Sequence, residues 1–102
     1  MNFANLMKQA QTIQRKVTKA KKEFNEKEFD IVSLNDVVTG KMGGDLKIKS
    51  LNIDPSMLSP EHKEDLEDIL LVSMNKIIEQ VSQEKEDTLE AITGGVDVSA
   101  FL

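Results

Sequence analysis

Residues 3–24 read FANLMKQAQTIQRKVTKAKKEF. Apolar side chains fall at Phe3, Leu6, Ala10, Ile13, Val17, Ala20 and Phe24, at spacings that alternate between three and four. That alternation is the a/d seam of a heptad helix, and no Gly or Pro interrupts the chain between Met1 and Gly40. The spacing predicts a helix over 2–25, roughly 35 Å long at ~1.5 Å per residue. Its apolar stripe is narrow and needs a partner to cover it. The opposite face carries another signal. Lys8, Arg15 and Lys22 recur every seven residues, Lys19 stands beside them, and Lys16 and Lys21 flank the seam. One face is suited to a protein surface, the other to a polyanion.

Beyond Phe24 the period changes. Phe29 to Leu34 alternates loosely and favours a strand that ends at the turn pair Asn35-Asp36. Val37 to Met42 is a second β-prone run, and Gly43-Gly44 suits a tight two-residue hairpin because glycine tolerates positive φ. Asp45 to Ile53 reads as a third strand. Leu46 and Ile48 share a face, Leu51 and Ile53 fall out of phase with them, and the shift places a bulge near Lys49-Ser50.

Ser59-Pro60 then announces a second long helix, with Ser59 as N-cap and Pro60 in its first position. Glu61, Glu64, Asp65, Glu67 and Asp68 sit where the positive end of the helix dipole favours them. Leu66, Leu70, Met74, Ile77 and Val81 form the main stripe; Ile69, Leu71, Val72 and Ile78 widen it, which predicts cover on more than one side. From Ser82 to Glu90 the only apolar residue is Leu89, so the helix is expected to leave the core there, and Thr93-Gly94-Gly95 stops it. The expected architecture is a single α+β domain over 1–102: a helix at 1–25, a three-stranded antiparallel sheet at 27–53, a helix at 59–92 and a tail at 93–102. Two long helices and one small sheet carry more apolar edge than one chain hides, so a homodimer with projecting helices is expected.

Composition narrows the function. Hydrophobic residues make up 39% and charged residues 30%, as in an ordinary folded domain. All four aromatics are Phe, which makes base stacking an improbable main source of nucleic-acid affinity. Cysteine is absent, excluding disulfides and thiolate metal sites. No apolar run approaches the ~20 residues of a membrane span, and no signal-peptide core is visible, so the cytoplasm is the expected compartment. The formal net charge is −5, yet residues 1–27 hold seven bases against two acids and residues 54–102 three against twelve. The chain is strongly polarised along its length.

Three blocks resemble the YbaB/EbfC family of bacterial nucleoid-associated proteins. The first is Asn5-Leu6-Met7-Lys8-Gln9-Ala10-Gln11 with Ile13-Gln14. The second is Ile53-Asp54-Pro55-Ser56-Met57-Leu58, then Pro60-Glu61 and Leu66-Glu67-Asp68-Ile69-Leu70, continuing to Asn75. The third is Thr93-Gly94-Gly95. The resemblance implies an α-β-β-β-α homodimer that binds duplex DNA in the bacterial nucleoid. It names no contact residue.

Lys8, Arg15, Lys19 and Lys22 are the candidate DNA-binding residues; Lys8, Arg15 and Lys22 hold successive f positions ~10.5 Å apart, with Lys19 beside them. Phosphate contacts from such a row are tolerant of sequence and sensitive to salt. A direct DNA binder must also keep its acids away from the duplex, so the acidic start of the second helix is expected to face away from the row. Phe3, Leu6, Ala10, Ile13, Val17, Ala20 and Phe24 are the candidate dimer or helix seam. The competing function is protein interaction or assembly through that seam and the apolar end Val96–Leu102. His62 lies among acids and is expected to be exposed. The acids around it lack calcium-loop spacing, and Gly40-Lys41 and Gly43-Gly44 lack Walker spacing. No nucleophile–base pair, metal set, cofactor motif or small-molecule site stands out, so no enzyme is expected.

Overall fold

The computed structural model describes residues 2–94. The first helix, α1, spans Phe3–Asn25 and starts where the Asn2 side chain accepts a hydrogen bond from the Ala4 N–H at 2.9 Å. Three antiparallel strands follow, β1 (Glu28–Val32), β2 (Val38–Gly43) and β3 (Ile48–Ile53), in the spatial order β1-β2-β3. The second helix, α2, runs from Lys63 to Thr93. At 31 residues it is ~46 Å long. The fold is α+β in the order expected.

The β1–β2 connection places Asn35 and Asp36 at positive φ, which short polar side chains tolerate better than most. Ser33 closes it: its N–H donates to the Val38 carbonyl, and its Oγ accepts from the Val38 N–H, each at 2.9 Å. The β2–β3 turn differs from the expected Gly-Gly hairpin. Gly43 still pairs with Glu28 inside the sheet, and the turn runs on to Lys47, whose carbonyl accepts from the Gly43 N–H at 2.8 Å. Positive φ falls on Leu46, which is therefore a turn residue, and β3 begins at Ile48 rather than Asp45. What Gly44 supplies is close approach. A Cβ there would run into the Phe24 carbonyl, where the last turn of α1 meets the sheet. The expected bulge is present. Lys41 pairs with Ser50 and Met42 with Ile48, leaving Lys49 as the extra residue.

Asp54 ends the sheet by accepting from the Ser56 N–H at 2.9 Å, and this hydrogen bonding to Ser56 holds its carboxyl below the ordinary value. Ser59 precedes a single 3-10 turn over Pro60–His62 and makes no side-chain cap, so the α-helix opens at Lys63, later than expected. His62 sits at that junction and is half-buried rather than exposed.

The core gathers Phe24, Ile31, Met42, Ile77 and Val81, with Phe29 and Met74 packed against it. Beyond Val81, α2 stays packed instead of leaving the core as its polar sequence suggests. Lys85 Nζ donates to Asn25 Oδ1 at 3.3 Å, and Leu89 and Thr93 are buried farther along. On α1 the remaining buried residue is Val17, N-terminal to Phe24, so the two helices run antiparallel. The result is a rod measuring 69 × 19 × 17 Å.

Much apolar surface stays open in the single chain. On α2, Leu71 and Val72 are 64% and 67% exposed, so the described chain covers this helix on one side only. Ile48 and Leu51 pair with Met42 and Gly40 on the core side of the sheet, yet both are exposed. They are exposed because α2 lies mainly over β1 and β2.

Candidate nucleic-acid interface

The backbone of α1 sets the geometry of the basic face. The helix holds six cationic side chains and a single acid, Glu23. Lys8, Arg15, Lys19 and Lys22 are all exposed, on the side away from the seam. Their Cα atoms follow the helical rise, so Lys8, Arg15 and Lys22 stand ~10.5 Å apart along the axis. Arg15 Nε donates to the Gln11 carbonyl at 3.4 Å, and Lys19 faces Glu23 across one turn at 3.9 Å. That last pair is solvent-exposed and of little energetic weight. Lys16 is exposed and Lys21 half-buried beside the seam.

Glu84, Glu86, Asp87 and Glu90 lie on the half of α2 that packs along α1, yet none pairs with this row. Among the described residues the ion pairs are Lys19–Glu23, Lys41–Asp30, Lys49–Glu28 and Lys63–Glu67, and none joins α1 to α2. The acidic start of α2 is remote. Asp68 lies seventeen residues before Lys85, hence ~25 Å along the helix, on the side leading away from α1. Glu61, Glu64, Asp65, Glu67 and Asp68 therefore crowd one end of the rod, while the cationic face of α1 extends toward the other. The outer face of the sheet supplies no second basic surface. Lys41 bonds Asp30 on the neighbouring strand, and that hydrogen bond and charge raise its ammonium above the ordinary value; Lys49 is held by Glu28 at 3.6 Å.

The seam is covered unevenly. Val17 and Phe24 are buried, Ala10, Ile13 and Ala20 are half-buried, and Leu6 and Phe3 are exposed at 41% and 74%. Asn5 and Gln11, also exposed on α1, stand among the cations as further hydrogen-bond donors. A search for charge periodicity passes over them because they carry none. Among the described residues no group of three or more His, Asp or Glu is placed to hold a metal ion, and no helix is long and apolar enough to cross a membrane.

Comparison with known proteins places nearly the whole chain. Residues 1–96 match the profile of the YbaB/EbfC DNA-binding family. The chain belongs to the YbaB/EbfC family. A nucleoid-associated protein of Clostridium novyi is 36% identical over 98 residues, covering 96% of this chain and 86% of its own length. A nucleoid-associated protein of Lactococcus lactis subsp. cremoris is 34% identical over 96 residues, covering 94% and 97%. An uncharacterized protein of Helicobacter pylori has the same fold in its crystal structure. Its TM-score is 0.73 at 20% identity, over 85% of this chain and 91% of that one. The YbaB/EbfC description is of DNA-binding proteins, not of an enzyme class.

Proposed function

We propose that this YbaB/EbfC protein is a nucleoid-associated protein of the bacterial cytoplasm that binds duplex DNA as a homodimer and performs no chemistry. Lys8, Arg15, Lys19 and Lys22 contact backbone phosphates. The observation that carries this reading is their exposure in a row on α1, with no carboxylate of α2 paired to them and the acidic end of α2 far away. Phosphate contacts fix a protein on the duplex without reading bases, so binding tolerates many sequences and organises DNA broadly. The names of the bacterial relatives support a nucleoid location.

The homodimer closes the surface that one chain leaves open. Leu71 and Val72 on α2, with Ile48 and Leu51 on β3, supply the apolar patch that a second copy covers. Two copies also double the cationic row, and each released counterion steepens the salt dependence. Titration of a labelled duplex by anisotropy at two salt concentrations tests the reading. Strong weakening at the higher salt, alike for unrelated duplexes, is expected. Affinity that ignores salt would leave the exposed seam and a protein partner as the better account.

A further inference from the structure

Among the described residues, little covers the N-terminal part of the α1 seam. Val17 is the last buried seam residue toward the N-terminus; beyond it Leu6, Met7 and Phe3 are exposed at 41%, 47% and 74%. Two features make this tip self-complementary. Its apolar residues keep the a/d spacing through Phe3, Leu6, Ala10 and Ile13, the pattern by which helices pair side by side. The positions flanking that seam are Met7, Gln9 and Gln14, and Lys8 is the only charged residue from Asn2 to Gln14. Flanking e and g charges normally decide which helices repel one another, and here there are none. Lys8 itself lies on the opposite face. A cation-rich helix thus ends in an uncharged, apolar-striped tip.

We propose that α1 tips of two different dimers pair through Phe3, Leu6, Ala10 and Ile13, and that this contact links two DNA duplexes. It rests on the phosphate-binding reading above. Paired seams leave both cationic faces pointing outward, each free to hold its own duplex. The paired stretch is about two heptads, and its four seam residues on each helix bury too little apolar area to hold by themselves. Tip pairing therefore depends on DNA, which raises the local concentration of tips along it.

The test uses full-length protein and two duplexes, one fixed to beads and one labelled in solution. Wild type is expected to recruit the labelled duplex to the beads. Phe3→Gln/Leu6→Gln, which changes no charge and touches only exposed seam positions, is expected to lower recruitment at least tenfold while single-duplex affinity stays within twofold. Equal recruitment by the variant would overturn the proposal. Loss of single-duplex binding by wild type would instead overturn the phosphate reading beneath it.

The chain has no cysteine, so Leu6→Cys is a clean reporter. Disulfide-linked dimers of dimers that accumulate when duplex is added are expected. Cross-links confined to one dimer would overturn the proposal. So would an intrachain disulfide that forms in preference in Leu6→Cys/Ser99→Cys, which would put the chain's own 95–102 on the seam.

Discussion

The carbonyl of Phe24 lies against the backbone of Gly44, leaving no room for a side-chain atom between them. This contact fastens the last turn of α1 to the β2–β3 turn. The Lys27 N–H donates to the Phe24 carbonyl at 3.0 Å, and the Gly44 N–H donates to the Lys27 carbonyl at 3.0 Å. The direction in which the basic helix projects from the sheet is set here.

Gly44→Ala is expected to cost about 2–3 kcal/mol, because the added methyl meets rigid backbone. At Gly43 the methyl would meet the side chains of Asp45 and Lys49, which can swing aside. Gly43→Ala should therefore be the milder change. Urea unfolding of the two variants side by side checks the order.

Ile77→Ala empties part of the core shared with Phe24 and Met42 and is expected to cost about 2–4 kcal/mol. Leu71→Gln/Val72→Gln alters side chains that are exposed in the protomer. The proposed homodimer contact predicts that sedimentation equilibrium will show dissociation at least tenfold easier, with helix content by circular dichroism little changed. An unchanged dissociation constant, or a wild type that sediments as a monomer, would contradict the proposed contact.

How much of this was legible in the sequence depended on what each residue answers to. The heptad of α1 answers to its own helix and reads directly. The Gly43-Gly44 pair suggested positive φ, but Gly44 answers to Phe24, distant in sequence, and the positive φ falls on Leu46. The far half of α2 looked too polar to pack. Antiparallel pairing with α1 needs only a thin line there, and Leu89 and Thr93, one turn apart, provide it. The cationic row is visible from its spacing of seven. Its distance from the acidic start of α2 is not, because that follows from the direction in which the two helices run. Asn5 and Gln11 carry no signal that a charge pattern could show.

Lys41 gives a pH dependence with a definite sign. Its ammonium is raised above the ordinary 10.5 by the hydrogen bond and charge of Asp30. The stabilisation is therefore complete below 10.5 and disappears as pH rises through the elevated value. Lys41→Met should be less stable than wild type near neutrality, and the two urea midpoints should converge above that range. A difference that persists at high pH would mean the aliphatic part of Lys41 matters more than its charge.

The central claim is that the cations on the outer face of α1 hold phosphates. Its most direct test is the slope of log affinity against log salt for wild type and for Lys8→Gln/Arg15→Gln/Lys19→Gln/Lys22→Gln, with sizing to show that both are the same assembly. Each lost phosphate contact should flatten the slope by ~0.9. The variant is expected to bind weakly with a slope flatter by several such steps. Equal slopes and equal affinities would contradict the account and place the DNA, if it binds, on another surface.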